Sequence, residues 1–311
     1  MDIGIFISDT GGERTGVDFL RRRARWVEEH GFTSAWVPHI PWSLDAFVAL
    51  TLAAAVTERI ELGTAVVPTY PRHPLAMAQM ALSVQAASGG RLTLGIGPSH
   101  PAVVESMHGL DYSRPYTDTR EYVEVLQRAF AGPGQVHFEG SEYRVNALLD
   151  VPDATPVPLL VAALAPKMLH LAGGRTRGTI TWMCDERSIA EHIVPHLQAG
   201  ATEAGLERPR VVAGLPVAVC DDADEGRARA ARLFGVYGAI PAYDRVLATG
   251  DATGPADVCV IGTETQVRRR LEQYRDAGVT DLAAATFAVG DDRVGSLRRT
   301  HELLASLAPR L

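Results

Sequence analysis

The sequence predicts an α/β fold, a (β/α)8 TIM barrel, because short apolar stretches alternate with amphipathic stretches about eight times along 311 residues. Strands that alternate with helices form a parallel sheet, and eight such units close that sheet into a barrel. The amphipathic stretches, such as GVDFLRRRARWVEEHG, have the 3.6-residue period of surface helices. The apolar stretches predicted as strands cover residues 3–7, 34–37, 60–66, 91–97, 158–164, 179–183, 210–219 and 281–287.

Glycine supports the predicted helix boundaries. Gly31, Gly89, Gly173 and Gly278 each follow an apolar periodic stretch, at the position where a helix often ends in a left-handed residue. These boundaries separate each helix from the strand that follows it, as a regular βα repeat requires.

Two longer stretches interrupt the repeat and are predicted to be insertions after strands 4 and 7. Residues 101–157 contain a helix at about 118–131 and the polar segment GPGQVHFEGSEYRV, which has the pattern of a small hairpin. Residues 222–258 contain a helical region and the turn-rich segment ATGDATGPAD. Because no low-complexity linker or shift in composition divides the chain, we expect residues 1–311 to form one barrel domain.

Composition narrows the classes of function. A net charge of −7 disfavours nucleic acid as a partner, and no apolar stretch reaches the roughly 18 residues of a membrane span. We expect no signal segment, because Met1 leads directly into DIGIFI, and the three cysteines have no CxxC spacing. We therefore expect a cytoplasmic protein that binds neither nucleic acid nor membrane. The histidines form no HxH or HExxH motif, so we expect no catalytic metal.

In such barrels the chemistry lies at the carboxyl ends of the strands, so the residues after each strand are the candidate site residues. His39 follows the second strand, where a histidine can donate or accept a proton near neutral pH. The alternative is a histidine that simply packs at the barrel mouth. Trp42, three residues later, forms either an aromatic wall of the substrate pocket or a cap on the core.

Proline dominates the segment after the third strand, where it occurs at Pro68, Pro71 and Pro74. Proline cannot extend a strand ladder and restricts the residue before it. The segment therefore predicts a rigid loop on the functional face of the barrel.

The fourth strand ends in GIGPSH. Gly97 would let a flat ligand or another backbone approach closely. Ser99 and His100 are neighbours in the chain and do not by themselves predict a nucleophile with its base, and the chain has no GxSxG motif. The glycines lack the GxGxxG spacing, so a Rossmann dinucleotide site is disfavoured.

The fifth strand leads into ALAPKML, where Pro166 occupies the favoured first position of a helix. The free N–H groups of a helix start bind anions, and Lys167, the only lysine among 30 basic residues, lies in that turn. A lysine there opposes the helix dipole, so the turn predicts a phosphate site, with a solvent-facing lysine as the alternative. Arg175 and Arg177 precede the sixth strand and are expected at the opposite end of the barrel, in solvent.

Three segments resemble the luciferase-like monooxygenase superfamily, and more closely its deazaflavin (coenzyme F420)-dependent oxidoreductases. The segments are RIELGTAVVPTYPRHPLAMAQMALSVQAASGGRLTLGIGPSH, LAGGRTRGTITW and VIGTETQVRRRLEQYRDAGVTDL. The resemblance covers nearly the whole chain. It is more specific for the superfamily than for the cofactor, because branches that use flavin mononucleotide (FMN) share the barrel and much of the pattern.

The resemblance implies a ring-binding site at the barrel mouth, with a non-prolyl cis peptide bond between Ala65 and Val66 behind the ring. It places His39 near the reactive face of the ring as the catalytic residue, and Trp42 in the substrate pocket. The cofactor-binding residues that it implies are Ala65, Val66, Gly97, Ser99, His100, Ala163, Leu164, Ala165, Lys167, Thr181 and Trp182.

Two positions depart from the members of the family that oxidise sugar phosphates. Pro38 stands where those members carry an acidic residue before the histidine. Pro98 stands where they carry a catalytic glutamate. A glucose-6-phosphate dehydrogenase activity is therefore disfavoured.

We thus expect an F420-dependent oxidoreductase that transfers a hydride between the reduced coenzyme and a small organic substrate. Two alternatives stay open at this point. One is an FMN-dependent monooxygenase that uses O2 and a partner reductase, and the other is a non-catalytic flavin- or deazaflavin-binding protein. Family members often form dimers through helices of the first half of the barrel, so the resemblance also allows for a homodimer.

Overall fold

A computed structural model describes residues 1–9 and 16–308, in which eight parallel strands close into a barrel. The ring closes because β12 pairs with both β1 and β10, and β10 in turn pairs with β9. The predicted TIM barrel is therefore confirmed. The strands of the described residues are β1 (Asp2–Phe6), β2 (Ser34–Val37), β3 (Glu61–Thr64), β4 (Val67–Pro68), β5 (Leu92–Gly97), β6 (Gly134–Glu139), β7 (Arg144–Leu149), β8 (Leu159–Val161), β9 (Gly178–Trp182), β10 (Arg210–Val219), β11 (Val260–Gly262) and β12 (Asp281–Thr286).

Helices surround the barrel, and in the described part of the chain one short 3-10 helix (Gly235–Ala239) and two π-helical stretches (Ala102–Met107 and Ile189–Ile193) accompany them. None of the described helices combines the length and the apolar composition that a membrane span requires. The α-helices are α1 (Val17–Glu29), α2 (Ala46–Ala54), α3 (Pro74–Ala87), α4 (Pro115–Phe130), α5 (Pro166–Arg175), α6 (Glu186–Ser188), α7 (Val194–Glu203), α8 (Ala223–Phe234), α9 (Pro241–Leu247), α10 (Pro255–Val258), α11 (Glu264–Asp276) and α12 (Arg293–Leu307).

The barrel interior is built around a tryptophan. Successive residues of a strand point to opposite faces, so every second side chain of a barrel strand points inward. The Trp36 indole of β2 is fully buried, and its N–H donates to Ser34 Oγ at 2.8 Å. Gly4 and Gly63 on the two neighbouring strands flank the ring, and a Cβ atom at Gly63 would overlap it. The rest of this inner cluster consists of Phe6, Leu160, Ile180, Val212, Ala283 and Ala285.

An ion cluster crosses the amino-terminal floor of the barrel. Arg210 at the start of β10 donates to Asp281 of β12 at 2.5 Å and to Glu61 of β3 at 3.0 Å. Since β3 and β10 lie opposite each other in the ring, the guanidinium spans the floor. The floor is thus closed by charge pairs, and the carboxyl ends of the strands remain as the open face.

The first insertion contains α4 and the antiparallel hairpin of β6 and β7, which confirms the predicted helix and hairpin. Glu121 of α4 attaches the hairpin, because its carboxylate accepts the N–H groups of Ser141, Glu142 and Tyr143 at 2.8–3.3 Å. Burial alone would raise the pKa of Glu121, but these hydrogen bonds outweigh it and lower that pKa.

Two local predictions are corrected or extended by the structure. Gly173 was expected at a helix end, and this is wrong, because it lies inside α5. A Cβ atom there would overlap the Leu197 carbonyl of α7, so the glycine serves close helix packing rather than a helix end.

The unpredicted strand β11 pairs with the end of β10, with Val260 opposite Val217.

Candidate active site

Small residues line the centre of the barrel mouth. Ala65 and Val66 after β3, and Ala162 after β8, are half-buried and pack on the inner cluster. Gly97 ends β5 between them, and a Cβ atom there would lie 3.0 Å from Ala162 Cβ and 3.1 Å from Val66 Cγ2. We call Ala65, Val66, Gly97 and Ala162 the mouth floor. It offers a low surface on which a planar ring can lie.

A cis peptide bond joins Ala65 and Val66, as the resemblance implied. The Thr64 hydroxyl before it donates to the Gly95 carbonyl at 2.7 Å and accepts the Gly95 N–H at 2.8 Å. The Val66 carbonyl accepts the N–H of His39 at 3.4 Å. The irregular backbone is therefore fixed to the strands on both sides.

His39 lies beside this bulge, and hydrogen-bond donors face both of its ring nitrogens. The Ala46 N–H lies 3.4 Å from Nδ1, and the Arg72 Nη1 lies 3.4 Å from Nε2. Asp45 forms an ion pair with Arg72, and its Oδ2 lies 3.8 Å from Nδ1. Burial lowers the pKa of His39, Arg72 and His108 lower it further, and Asp45 opposes them. The imidazole is consequently neutral at neutral pH.

Aromatic rings cover the other side of the mouth. The ring of Trp182, at the end of β9, lies 6.0 Å from that of Phe6 and 5.8 Å from that of Tyr237. The Tyr243 ring lies 5.3 Å from Tyr237 and 5.4 Å from His100. We call Trp182, Tyr237 and Tyr243 the aromatic wall. Burial lowers the pKa of His100 and raises that of Tyr243, so both side chains are neutral over the physiological range.

Two buried polar groups near the mouth have no hydrogen-bond partner within the described residues, the Ser8 hydroxyl after β1 and the Trp182 indole N–H. The indole lies beside the Tyr237 hydroxyl, where it opposes the burial that raises the pKa of Tyr237, but the contact lacks hydrogen-bond geometry. Each unsatisfied buried group costs about 1–3 kcal/mol. Such groups are expected where a ligand completes the site.

Two residues at strand ends adopt left-handed backbone conformations that are uncommon outside glycine. Ser99 after β5 has φ of 63° and Met183 after β9 has φ of 57°. The Tyr112 hydroxyl donates to the Ser99 carbonyl at 3.0 Å and so supports the first of these turns. Backbone of this kind concentrates at functional sites, in agreement with a site at this end of the barrel.

The start of α5 has the features of an anion site. Ala165 is its N-cap and no side chain caps the helix, while Pro166 takes the first helical position. Lys167 is exposed and forms no hydrogen bond or ion pair with the rest of the described chain. The Leu164 carbonyl before the turn lies 2.7 Å from His192 Nε2, which fixes the entry into the helix. Free N–H groups and a free ammonium thus lie together.

The remaining predicted residues lie further from the centre. Trp42 is 65 % exposed, so it does not cap the core. Ala163 is buried in the outer core, and the buried Thr181 hydroxyl lies 3.5 Å from the Val212 carbonyl. Arg177 precedes β9, at the opposite end of the barrel. Within residues 1–9 and 16–308, no cluster of three or more histidine, cysteine or acidic side chains could ligate a metal.

The sequence patterns do not single out Arg72, Tyr237 or Tyr243 as site residues. A signal is present for each, since Arg72 lies inside the proline-rich segment and both tyrosines lie inside the second insertion, in one seven-residue stretch. None of these signals predicts a long-range contact, so the sequence does not show which residues these three side chains contact.

The geometry agrees with a comparison against protein families, in which the luciferase-like monooxygenase model matches residues 1–281. The chain belongs to the luciferase-like monooxygenase family. A curated member, 5,10-methylenetetrahydromethanopterin reductase of Methanolobus tindarius, is 26% identical over 291 residues, which cover 85% of this chain and 88% of the relative.

Solved structures share the luciferase-like fold over nearly the whole chain. An F420-dependent secondary alcohol dehydrogenase in complex with an F420–acetone adduct is 20% identical, with a TM-score of 0.79 and 97% of each chain covered. The coenzyme F420-dependent tetrahydromethanopterin reductase of Methanopyrus kandleri is 22% identical, with a TM-score of 0.75 and coverages of 100% and 97%. The oxygenating constituent of 3,6-diketocamphane monooxygenase of Pseudomonas putida, in complex with FMN, is 17% identical, with a TM-score of 0.77 and coverages of 100% and 99%.

Proposed function

We propose that the protein is a coenzyme F420-dependent oxidoreductase that transfers a hydride between the deazaflavin and a small organic substrate. The observation that carries the proposal is the mouth floor, a surface of small residues directly beside the neutral His39. A planar ring needs such a surface behind one face and a proton-handling group near the other. Family membership and the F420-dependent neighbours support this choice of cofactor.

The cofactor fits the residues that are present. The mouth floor would support the ring, with Ser99 and His100 along its edge. The uncapped start of α5 would hold the phosphate through the backbone of Ala165 and Lys167 and the free ammonium of Lys167. The unsatisfied Trp182 indole N–H provides a donor on the opposite side.

When bound, the coenzyme supplies the carbon that gives or takes the hydride. His39 supplies the proton handling. Because the pKa of His39 is lowered, the neutral imidazole is suited to accept a proton from a substrate hydroxyl that is being oxidised. Reduction in the opposite direction requires protonated His39, which is scarce at neutral pH unless the bound substrate raises that pKa.

The aromatic wall indicates the class of substrate. Trp182 contributes an indole ring, and Tyr237 and Tyr243 contribute rings with neutral hydroxyls. According to the resemblance, Pro38 and Pro98 stand where sugar-phosphate-oxidising members of the family carry acids. Such a wall favours a small, largely apolar alcohol, carbonyl or imine over a charged sugar.

FMN-dependent monooxygenation is the second candidate function. It is favoured by one observation, the FMN-bound neighbour whose fold agrees as well as those of the F420 enzymes. The mouth floor alone does not distinguish the two rings, because both are planar tricycles. In that case the second substrate would be O2, and a separate reductase would supply reduced flavin.

We also propose that the protein forms a homodimer through α2 and α3. A groove of about 390 Å³ between these helices is lined mostly by apolar side chains, among them Val48, Leu52, Met80 and Val84. Val48 is 52 % exposed, and a contiguous apolar surface of this kind commonly marks an interface. Light scattering after size exclusion should give twice the chain mass, and Val48→Glu should convert the protein to monomer. A monomeric wild type would contradict this assignment.

The function is tested by titrating the purified protein with F420 and with FMN while following the visible absorbance and fluorescence of each. Reduced F420 is then offered with a panel of small carbonyls and imines without oxygen, and oxidised F420 with alcohols. Binding of F420 with substrate-dependent turnover supports the proposal. Binding of FMN alone with O2-dependent turnover supports the second candidate, and tight F420 binding without any turnover indicates a carrier protein.

A further inference from the structure

We propose that Arg72 is a positioning residue for His39, which holds the imidazole in one orientation with Nε2 as hydrogen-bond acceptor. The inference deepens the proposed function, since it rests on His39 as the proton-handling group. It assigns a role to the proline-rich segment 68–74, which the proposed chemistry does not otherwise use.

The contacts of the guanidinium carry the argument. Arg72 Nη1 lies 3.4 Å from His39 Nε2, and its Nη2 forms an ion pair with Asp45 Oδ2. The guanidinium carbon lies 5.8 Å above the Phe47 ring, and 18 % of the side chain is exposed. A planar guanidinium held by a carboxylate at one nitrogen presents its other nitrogen in a fixed direction. That direction is toward the imidazole.

The geometry also selects a tautomer. A neutral imidazole accepts at one nitrogen and donates at the other. Hydrogen bonds from a charged donor are about twice as strong as those from a neutral amide, so Arg72 at Nε2 outweighs the Ala46 N–H at Nδ1. The proton then lies on Nδ1, on the side of Asp45 Oδ2 at 3.8 Å. Nε2 then carries the lone pair, and because the Arg72 contact is long at 3.4 Å, a substrate hydroxyl can take the place of Arg72 there before Nε2 accepts its proton.

The segment around Arg72 is fixed from several sides. The Arg72 N–H donates to the Thr69 carbonyl at 3.1 Å, and its carbonyl accepts from the buried Tyr122 hydroxyl at 2.9 Å. Thr69 in turn donates its N–H to the Gly97 carbonyl at 3.0 Å. Pro71 precedes Arg72 and removes conformational freedom from its backbone. The long side chain of Arg72 therefore extends from a rigid backbone.

If Arg72 had a purely structural role, its loss would mainly lower the stability of the fold. Asp45 caps α2 through Oδ1, which accepts the Phe47 N–H at 2.9 Å, whereas Arg72 uses Oδ2. The helix cap therefore does not depend on Arg72. Loss of the guanidinium should alter the state of His39 more than the stability of the fold.

Among residues 1–9 and 16–308, three charged or titratable groups act on His39. They are Arg72 from segment 68–74, Asp45 from the start of α2 and His108 after the π-helical stretch. Removing Arg72 leaves Asp45 as a carboxylate that favours the imidazolium. In Arg72→Gln, the His39 pKa should rise and its protonated form should extend to higher pH.

The test uses the full-length protein labelled with 15N-histidine, without coenzyme, so that it is independent of which cofactor binds. Two-bond 1H–15N spectra recorded against pH report the titration and the tautomer of His39, which His39→Asn assigns. We expect the Nδ1–H tautomer in the wild type, a higher His39 pKa and a mixture of tautomers in Arg72→Gln, and no change in the exposed control Arg144→Gln. An unchanged His39 titration and tautomer in folded Arg72→Gln would overturn the inference.

Arg72→Lys keeps the test sharp if Arg72→Gln unfolds. Lysine retains the charge but not the planar fork, so the His39 pKa should stay near the wild-type value while the tautomer preference weakens. A wild-type tautomer in folded Arg72→Lys would also count against positioning. In the loaded enzyme, both variants should lower kcat more than they raise KM, and only Arg72→Gln should move the acidic limb of the pH profile upward.

Discussion

Gly63 and Trp36 occupy neighbouring strands at a separation that leaves no room for a side chain on the glycine. We expect Gly63→Ala to lower the free energy of unfolding by about 1–3 kcal/mol, because overpacking forces the indole or the strand to move. Urea denaturation measures the change. Gly235→Ala is the matched control, since a Cβ atom there meets no atom within 4 Å. Equal stability of the two variants would contradict this picture of the core.

Asp118 of α4 is a buried carboxyl group that accepts from the Tyr143 hydroxyl at 2.6 Å and lies 3.4 Å from the Thr69 hydroxyl. Burial raises the pKa of Asp118, with Glu142 and Glu121 acting in the same direction and the two hydroxyls opposing. The native protein therefore binds the Asp118 proton more tightly than the unfolded chain does. The stabilisation that the native state gains from this proton is complete below the pKa of Asp118 in the unfolded chain. It is lost as the pH rises through the raised pKa of Asp118 in the native protein.

Asp118→Asn should therefore gain stability relative to the wild type at neutral pH and lose that advantage in acid, because the amide keeps an acceptor for Tyr143 without a charge. Asp118→Ala leaves that hydroxyl without its partner and should cost about 1–3 kcal/mol. Unfolding curves of all three proteins at pH values on both sides of the transition check the sign. An advantage of Asp118→Asn that is larger in acid would refute the raised pKa.

Lys167 offers a direct check of the phosphate site. Lys167→Ala should weaken coenzyme binding by up to about fivefold, because an exposed ion pair contributes about 1 kcal/mol or less. The loss should shrink as salt is added, since screening weakens exposed charge pairs. Arg177→Gln removes one positive charge at the opposite end of the barrel and should leave the affinity unchanged. Fluorescence titration of the coenzyme at two ionic strengths decides between these outcomes.

His39 is predicted to act in turnover and not in coenzyme affinity. His39→Asn should reduce kcat by about 100- to 10,000-fold, the usual contribution of a positioned acid or base, while the coenzyme dissociation constant stays near that of the wild type. Steady-state kinetics together with a binding titration separates the two effects. Wild-type turnover in this variant would exclude His39 as the proton-handling group.

The sequence predicts the barrel well because its eight strands and their helices are local patterns. Strand β11 escapes prediction because three residues carry little periodicity and pair only with the overhanging end of β10. The misplaced helix end at Gly173 shows a different limit. A glycine that ends a helix and a glycine that admits a neighbouring helix have the same sequence signal, and only tertiary packing distinguishes them.

In the candidate site, too, residues that follow a local pattern are predicted and residues placed by tertiary contacts are not. His39 and Gly97 follow barrel strands directly, so the strand pattern alone brings them to the mouth. Arg72 reaches His39 from a loop, and Tyr243 reaches His100 from an insertion 143 residues later in the chain. Such contacts depend on how a long segment folds back over the mouth, which no local propensity encodes. A cytoplasmic location without a nucleic-acid partner stays a prediction from composition.

Glu121 gives the first insertion an unusual form of attachment. The Glu121 carboxylate accepts three backbone N–H groups at the tip of the β6–β7 hairpin. The two strands pair with each other and with no other described strand. The inner face of the hairpin, with Val136, Phe138 and Val145, belongs to the main core. Its outer face can change without shifting the register of any barrel strand. For protein engineering, it is a natural place to graft a peptide tag or to exchange loops between relatives. For evolution, the outer face of the hairpin is a surface on which new specificity can arise while the core residues of its inner face are kept.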